Sequence, residues 1–471
     1  MTGDPADIRD ALMRAVGRAL AWRESVAHGP QRPLKGYAEI RASADFSTPE
    51  DGLGAESTIA ALADFAEPGL NAMTGPRFFG WVIGASHPVG VAADWMTAAW
   101  GQNTGNHHAT PSAAVAEEIA ARWLLDILRL PSGCSVGFVT GATMANFVGL
   151  AAARSRVLRD AGWDVERDGL FGAPPIDVLI GDDAHTTVFA ALQMLGLGHE
   201  RVKSVPTDAA GRILPGEFAK IVAGCGGPLI AVAQAGQINT GAFDPVGVMA
   251  DAVHARGGWL HVDGAFGLWA RACPEKAGLA DGVDRADSWA TDGHKWLQTP
   301  YDCGYAIVAH PEDHRRAMTA AATYLPSEAT DERDPSHLVP ELSRRSRGFA
   351  TWAVIRHLGR KGIAEMVARH CRQASRFAEA LGREPGIAVI NEVVLNQVIV
   401  RFGPDDEDGD RLTERVIARI QSDGVCFAGG GRWRGRWVMR LSVISWPTTD
   451  EDVALSVAAI IGAWRAVRQS A

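Results

Sequence analysis

The segments WLHVDGA at residues 259–265 and DSWATDGHKW at residues 287–296 stand close together in this 471-residue chain. The first is an apolar run that ends around Asp263, and the second places Lys295 directly after His294. A short apolar run of this kind is typical of a buried strand. Because ligands of parallel α/β sheets bind beyond the carboxyl ends of the strands, Asp263 stands where a ligand is expected.

A strand-end aspartate followed by a lysine indicates a pyridoxal phosphate (PLP) site. This cofactor needs an amine that holds its aldehyde as a Schiff base, and we predict that Lys295 is this amine. It also needs a carboxylate that keeps its ring nitrogen protonated, and we predict that Asp263 is this carboxylate. The pair implies a reaction class in which a bond at the α-carbon of an amino acid is cleaved.

Composition and charge limit the possible functions. Hydrophobic residues make up 47% of the chain, enough for a large core and for two or three domains. The net charge of −9 argues against a nucleic-acid or acidic-membrane partner, because both require a basic face. No apolar run approaches the ~20 residues that span a bilayer, and the first ten residues lack the order of a signal peptide.

The six cysteines are scattered without a C-x-x-C pair, which predicts reduced thiols in a cytoplasmic protein. The stretch Asn106-His107-His108 has no second ligand pair at a fixed spacing, so we expect no metal site.

Short apolar runs alternate with helical patterns between about residues 78 and 308. This alternation predicts an α/β fold with a mostly parallel sheet and helices on both faces. The runs that read as buried strands lie at 178–180, 229–232, 259–262 and 305–308.

The pattern divides the chain into three parts. Residues 1–77 read as an N-terminal helical segment, and a stripe at Ile8, Leu12, Val16 and Leu20 needs a packing partner, either in the same chain or in a partner subunit. Residues 78–348 are predicted to form a large PLP-binding domain, and 349–471 a smaller α+β domain.

The smaller domain is predicted to contain helices at 351–381 and 412–420 and strands at 393–400 and 436–443. We interpret the acidic stretch 405–410 as a solvated turn. The basic and aromatic stretch 429–436 reads as a flexible hairpin rather than a nucleic-acid site.

Two more elements fit a PLP site. Gly141, Ala142 and Thr143 precede an alanine-rich helix, and a helix start offers free N–H groups to a phosphate. His185 follows the run at 178–180, where an imidazole can stack on the pyridine ring; a histidine that caps a helix is an equally good reading of this residue alone.

The ordered set of these motifs resembles the group II PLP-dependent amino acid decarboxylases, the family of aromatic amino acid, histidine and glutamate decarboxylases. The resemblance extends from about Pro76 to Thr449. It rests on the segments at 77–80, 92–95, 140–146, 184–185, 259–263, 286–288, 294–296, 302–303, 343–345 and 440–441.

The resemblance implies the aspartate aminotransferase-like fold (fold type I), a homodimer with active sites at the interface, and N-terminal helices packed on the partner subunit. It also implies removal of the α-carboxylate of an L-amino acid as carbon dioxide. The cofactor contacts that follow from the motifs are at Gly141, Ala142, Thr143, His185, Asp263, Ala265, Asp292, His294 and Lys295. The predicted catalytic residues are Lys295, His185, Asp263 and His337.

The chain departs from the family in a loop that often carries a proton-donating tyrosine. Residues 326–338 contain no tyrosine, and Tyr324 precedes them. His337 is a candidate acid, because an imidazole titrates near neutrality. Loss of the tyrosine also leaves open an aldehyde product, transamination or lyase chemistry, and a non-catalytic PLP-binding protein is a further alternative.

The predicted substrate contacts are Arg77, Phe78 and Arg440. Arg77 stands where family members with aromatic substrates tend to carry tyrosine, and its guanidinium suits an acidic side chain; an interface role is an equal alternative. A second departure lies at 236–242, where Gln237 or Asn239 is expected to replace a family threonine.

Overall fold

The strands form two sheets in a computed structural model that describes residues 5–319 and 333–470. The large sheet contains β1 (Ser135–Val139), β2 (Asp177–Gly181), β3 (Lys203–Val205), β4 (Leu229–Gln234), β5 (Trp259–Asp263), β6 (Ser288–Asp292) and β7 (Gly304–Val308). The small sheet contains β8 (Ile387–Val389), β9 (Gln397–Phe402), β10 (Gly429–Trp433) and β11 (Arg436–Ser442).

The large sheet has the strand order β1-β7-β6-β5-β4-β2-β3. Strand β7 is antiparallel to both of its neighbours, and the other four pairings are parallel. This arrangement confirms the predicted mostly parallel sheet. The apolar run at 305–308 is a strand as predicted, but a short apolar run carries no information on strand direction.

Helices cover both faces of the large sheet and surround the small one. The α-helices are α1 (Pro5–Ser25), α2 (Tyr37–Ala42), α3 (Ala55–Ala66), α4 (Pro88–Trp100), α5 (Pro111–Ile127), α6 (Ala142–Asp160), α7 (Val165–Asp168), α8 (Thr186–Met194), α9 (Pro215–Ala223), α10 (Val246–His254), α11 (Pro311–Met318), α12 (Arg347–Leu381), α13 (Glu407–Asp423) and α14 (Asp450–Gln469).

The core lies on both faces of the sheet because successive strand residues point in opposite directions. Leu179 and Ala231 belong to the apolar cluster that contains α5 and α10 residues, whereas Val178 and Ile230 belong to the cluster with α6 and α8 residues. Both faces of the strands are therefore dry, as expected for a doubly covered parallel sheet.

The small sheet is antiparallel in the order β10-β11-β9-β8. Its core joins residues of α13 and α14 to the C-terminal part of α12, which contributes Phe377. Helix α12 is kinked at Gly359, whose φ of 61° is readily adopted only by glycine. It also packs against α4 and α5, so it connects the two sheets, and the boundary at 348/349 stays a prediction.

Two details of the small sheet differ from the sequence prediction. The strand predicted at 393–400 begins only at Gln397. The acidic stretch 405–410 is mostly exposed, as predicted, but it leads into α13 instead of forming a turn, with Asp406 as the N-cap that accepts a hydrogen bond from the Gly409 N–H. Acidic residues are favoured there because the N-terminus of a helix carries a partial positive charge. The predicted hairpin at 429–436 is present as β10 and β11.

The N-terminal helices α1 and α3 pack against each other. Arg18 forms ion pairs with Asp64 and Glu67 at 2.9 and 2.8 Å, which fixes one side of this pair of helices. On α1, Ile8 and Leu12 are 50% and 65% exposed, so the apolar stripe found in the sequence is not covered by the described part of the chain.

No helix within residues 5–319 and 333–470 is both long and apolar enough to cross a membrane. All six cysteines lie in this part of the chain, and each is a free thiol.

Candidate active site

Lys295 lies in a turn between β6 and β7. Residues Gly293–Leu297 form one turn of π-helix, a rare geometry that is often found at functional sites. The Lys295 Nζ is 2.9 Å from Oδ2 of Asp292, a carboxylate that is almost fully buried. The ion pair holds the amine at the carboxyl end of β6.

Gln298 ends this turn and connects it to distant parts of the chain. Its side-chain Nε2 donates to the carbonyls of Lys295 and Ile444 at 2.9 and 2.7 Å. Its Oε1 accepts hydrogen bonds from the N–H groups of Ala85 and Trp446 at 2.8 and 3.3 Å. One buried amide therefore joins the lysine turn to the segment before α4 and to the segment that follows β11.

The N-terminus of α6 faces the same carboxylate. The Ala142 N–H donates to Oδ1 of Asp292 at 2.6 Å. A Cβ on Gly141 would lie 3.0 Å from the His294 ring and 3.2 Å from Oδ1 of Asp292, so only glycine fits without displacement. The N–H groups of Thr143 and Met144, which follow Ala142 in the first turn, have no partners within the helix and are available to an anion.

Asp263 is buried at the end of β5. Its Oδ1 accepts a hydrogen bond from the Ala265 N–H at 3.2 Å, and its Oδ2 accepts one from Asn146 Nδ2 at 3.3 Å. Burial raises the pKa of this carboxyl above its usual range, while the charges of His185 and Lys295 and the two hydrogen bonds act in the opposite direction. A cationic partner at this position would favour the carboxylate form.

His185 is the N-cap of α8 and also lines the pocket. Its Nδ1 lies 2.8 Å from the Thr187 hydroxyl and accepts a hydrogen bond from the Thr187 N–H. The helix-capping reading is thus confirmed, whereas stacking on the pyridine ring stays a prediction. Burial lowers the pKa of His185, which leaves the ring neutral near pH 7.

His294 is held on both sides of its ring. Its Nδ1 accepts a hydrogen bond from the Cys303 N–H at 3.1 Å, so Nε2 carries the proton and faces Oδ1 of Asp292 at 3.4 Å. The ring of Tyr301 stacks on it with the centroids 4.3 Å apart. Burial lowers the pKa of His294, which is consistent with a neutral ring.

These groups line one cavity of about 360 Å³. It is lined by Val82, Thr140, Gly141, Ala142, Thr143, His185, Thr187, Gln234, Gly236, Ile238, Asp263, Ala265, Phe266, Asp292, His294, Lys295 and Tyr301. All nine predicted cofactor contacts are in this lining, although they come from four strand ends and two helix starts. Their roles toward a cofactor stay predictions.

The structure does not bring Arg77 to the cavity. Its guanidinium forms an ion pair with Asp452 at 2.9 Å and donates to the carbonyls of Val425 and Ala27 at 2.8 and 3.0 Å. The guanidinium thus joins the N-terminal segment to α14 and to the chain before β10. Arg77 has a structural role here instead of the predicted contact with an acidic substrate.

Phe78 is buried and stacks on Phe427 with the centroids 4.7 Å apart. It is not in the cavity lining, but Val82, four residues later, is. The segment therefore forms part of the wall through a different residue from the one predicted.

Arg440 is close to the cavity without lining it. Its Nη1 donates to Oδ1 of Asn239 at 3.3 Å, and its positive charge lowers the pKa of His185. No carboxylate of the described residues acts on its pKa, and burial lowers that pKa to about 10. Asn239 thus binds Arg440, while Gln237 accepts hydrogen bonds from the N–H groups of its own loop.

His337 is also absent from the lining. It lies in a short 3₁₀ turn beside Asp334, with Nε2 3.9 Å from the Asp334 carboxylate. Its predicted role as the acid gains no support from this geometry. Tyr324 and residues 326–332 of the tyrosine-free loop lie outside the described residues.

Sequence reasoning missed several residues of the site. Tyr301 lines the cavity, Gln298 supports the lysine turn, and Asn146 contacts Asp263. Asn146 was part of a quoted motif, and its position one helical turn after Ala142 was the available signal. Nothing local to Gln298 indicated its long-range contacts.

The cavity fits PLP on three counts. A helix start and a glycine cradle suit the phosphate, Lys295 supplies an amine for the aldehyde, and the buried Asp263 suits a protonated ring nitrogen. Together with the strand order of the large sheet, these features define a PLP-dependent enzyme of fold type I.

Residues 38–402 match the family model described as the pyridoxal-dependent decarboxylase conserved domain. This is most of the chain, and the chain belongs to this family. The protein is a PLP-dependent carboxy-lyase. The family resemblance predicted from the sequence is confirmed, and so are the predicted fold and the predicted cofactor.

The chain is similar to tryptophan decarboxylase 1 of Oryza sativa subsp. japonica, with 28% identity over 93% of this chain and 90% of that protein. It is also 25% identical to phenylacetaldehyde synthase of Arabidopsis thaliana, over 86% of this chain and 83% of that protein. Among solved structures, Oryza sativa TDC with PLP and tryptamine has a TM-score of 0.90 at 24% identity, covering 100% of this chain and 98% of that one. Mouse CSAD has a TM-score of 0.91 at 20% identity, covering 98% and 99%.

Proposed function

We propose that this enzyme removes the α-carboxylate of an aromatic L-amino acid to give an amine and carbon dioxide. The observation that carries the proposal is the composition of the cavity wall. Lys295 is the only lysine or arginine in the lining formed by the described residues, and it is paired with Asp292. An acidic side chain would find no free cation in this wall, and Arg440, the cation beside it, is assigned below to the α-carboxylate.

The apolar part of the wall suits an aromatic side chain. Val82, Ile238, Phe266 and Tyr301 contribute it. Aromatic rings gain from contact with other rings and with aliphatic groups in such a pocket. The names of relatives, which include tryptophan and aromatic-L-amino-acid decarboxylases, agree with this substrate class.

When bound, PLP supplies an aldehyde for the amino group of the substrate and a protonated ring that accepts the electron pair released with carbon dioxide. We assign two roles to Lys295: its amine would hold the cofactor, and its Nζ would carry a proton. Asp263 would keep the ring nitrogen protonated, His185 would lie against the ring face, and the N-terminus of α6 would bind the phosphate.

We assign the α-carboxylate of the substrate to Arg440. This guanidinium is mostly buried. Within the described part of the chain its Nε has no hydrogen-bond partner, and its one side-chain hydrogen bond is to a neutral amide. Its uncompensated charge would attract a carboxylate next to His185.

The test is a product assay by mass spectrometry on the PLP-loaded enzyme. L-tryptophan, L-phenylalanine, L-tyrosine and L-glutamate are supplied singly, in air and without oxygen. We expect an amine from the aromatic substrates under both conditions. Lys295→Ala should abolish turnover, whereas Lys203→Ala, which removes a lysine paired with Asp177 at the sheet edge, should not. Turnover of glutamate alone would refute the proposed substrate class.

A second candidate is an oxygen-dependent aldehyde synthase. The tyrosine-free sequence of residues 326–338 favours it, and phenylacetaldehyde synthases are among the relatives. In the same assay this activity would give aldehyde, ammonia and hydrogen peroxide in air, and it would lose the aldehyde product without oxygen.

We also propose a homodimer, in which the exposed apolar faces of α1 and α3 are covered by a second copy of the chain. Ile8 and Leu12 on α1 and Leu62 and Phe65 on α3 are all at least half exposed. Burial of such a surface is the main source of stability in an obligate dimer. A cytoplasmic location is likewise a proposal, and it is supported by the six free thiols.

A further inference from the structure

A line of buried polar side chains runs beneath Asp263. Trp259 Nε1 donates to the Ser288 hydroxyl at 2.8 Å, and this hydroxyl lies 2.8 Å from Nδ1 of His261. His261 Nε2 lies 2.8 Å from Oδ1 of Asn146, whose Nδ2 donates to Asp263. All five side chains are buried. The line joins β5, β6 and α6.

The two ends of the line fix the direction of every hydrogen bond in it. The indole of Trp259 can only donate, so the Ser288 hydroxyl accepts from it. Among the described residues, Nδ1 of His261 is the side-chain acceptor within reach of this buried hydroxyl, so Ser288 donates its own proton to Nδ1. His261 then carries its proton on Nε2 and donates to the carbonyl oxygen of Asn146. The amide therefore presents its NH₂ group, not its oxygen, to the carboxylate.

The packing of α6 is adapted to this line. A Cβ on Gly149 would lie 2.8 Å from two ring atoms of His261 and 3.2 Å from the Ser288 hydroxyl. Glycine thus allows α6 to approach the two strands closely enough for Asn146 to reach both His261 and Asp263. Burial lowers the pKa of His261 to about 3, so the ring stays neutral, as the direction of the bonds requires.

We propose that Trp259, Ser288 and His261 are positioning residues that lock the amide of Asn146, so that its NH₂ group keeps Asp263 ionised and aimed at the ring nitrogen of PLP. This inference rests on the proposed role of Asp263. Without the donor on His261 the amide is free to rotate by half a turn, and its oxygen would then oppose the carboxylate. The carboxylate would take up a proton, and the ring nitrogen would lose its anionic partner.

The experiment uses the holoenzyme loaded with ¹⁵N-labelled PLP. The ¹⁵N chemical shift in solid-state NMR reports whether the ring nitrogen is protonated, independently of turnover. His261→Phe removes both hydrogen bonds of the ring, and His261→Gln keeps an N–H group that can reach Asn146. Ser288→Ala is a milder second variant, which frees the tautomer of His261 with little loss of volume.

The control is His314→Phe. His314 is also fully buried, with a pKa of about 3, and its Nδ1 is 2.7 Å from the Ser135 hydroxyl, but it lies outside this line. It therefore reproduces the general cost of removing a buried histidine that is bonded to a serine.

We expect a protonated ring nitrogen in the unaltered enzyme and in His314→Phe. His261→Phe and Ser288→Ala should shift the ¹⁵N signal toward that of an unprotonated pyridine and weaken PLP binding about tenfold or more, the effect of losing one hydrogen bond to a charged group. His261→Gln should restore most of the signal.

An unshifted signal in folded His261→Phe and Ser288→Ala would overturn the positioning role. An unprotonated nitrogen in the unaltered enzyme would instead refute the proposed pairing with Asp263. If His261→Phe does not fold, Ser288→Ala alone decides between these outcomes.

Discussion

Tyr301 is the residue of the cavity wall with the clearest chemical consequence. Its phenol lines the cavity, and its ring is fixed against His294. Tyr301 is 53% exposed in the single chain, but partial desolvation of its phenol and the charge of Asp292 raise the pKa, so the phenol keeps its proton at neutral pH. His337, the acid expected from the sequence, is not in the wall.

If Tyr301 donates the proton that replaces carbon dioxide, Tyr301→Phe should lower the rate of amine formation by about 10²- to 10⁴-fold. In air the aldehyde should form a larger fraction of the product. The measurement is the ratio of amine to aldehyde, with Tyr37→Phe, an exposed tyrosine on α2, as the control. An unchanged ratio and rate would return the role to Tyr324 or His337.

Single residues of the site were predictable where their signal is local. Asp263 ends a strand, Lys295 and His185 follow one, and strand ends can be predicted from short apolar runs. The contacts of Arg77 were not predictable, because its partners Asp452 and Val425 are about three-quarters of the chain away. The sequence shows that residue 77 is an arginine, but it does not show which distant residues lie next to its guanidinium.

At the scale of elements, α5 and α12 are joined by a buried ion pair. Arg344, just before α12, donates to both carboxylate oxygens of Glu117 on α5 at 2.7 and 2.8 Å. Both side chains are at most 2% exposed. Gly348 packs directly on Glu117, since a Cβ there would lie 2.5 Å from its Cγ.

Glu117→Gln should destabilise the protein by about 3–5 kcal/mol, because it leaves the buried guanidinium of Arg344 without its counter-charge. Glu118→Gln is the matched control on the same helix, since its partner Arg122 is exposed, and it should have little effect. Thermal unfolding of the two variants measures the difference. Equal unfolding temperatures would contradict the structural role of this pair.

Elements were predicted best where one periodic pattern covers them. Helix α12 was expected almost over its whole length, but its kink was not, because Gly359 fits the helical pattern as well as it fits a break. The acidic start of α13 was read as a turn, because capping by Asp406 depends on the helix that follows it. The direction of β7 depends on its neighbours in the sheet and not on its own residues.

At the scale of the whole molecule, buried histidines make stability depend on pH. Burial lowers the pKa of His261, His314 and His370 to about 3, below their usual value of 6.5. The unfolded chain therefore binds more protons than the folded one between about pH 6.5 and pH 3, and stability falls as the pH falls through this window.

Each of these histidines should reduce the free energy of unfolding by about 1.4 kcal/mol per pH unit in that window. The three together give a slope of about 4 kcal/mol per pH unit below pH 6. Denaturant midpoints at pH 7.5, 6.5 and 5.5 measure it. His314→Gln should reduce the slope by the contribution of one proton, and a flat profile would exclude neutral buried histidines.

The proposed dimer is tested by comparing two exposed leucines, one on α1 and one on α14. Leu12 on α1 is 65% exposed and belongs to the apolar face that we propose to be covered, whereas Leu455 on α14 is 48% exposed and does not. Leu12→Asp should shift the sedimentation of the protein from dimer to monomer, because a carboxylate is costly in an apolar interface. Leu455→Asp should leave it unchanged. A monomeric parent protein would refute the dimer.

The contacts of Gln298 can form only in a fixed order during synthesis of the chain. Its side chain contacts Ala85, Ile444 and Trp446, which are 213, 146 and 148 residues away along the chain. During synthesis the turn with Lys295 leaves the ribosome long before the last two of these residues. A chain that stops short of Ile444 contains the reactive lysine but lacks two of these three contacts of Gln298, so an incomplete translation product is made without a finished active site.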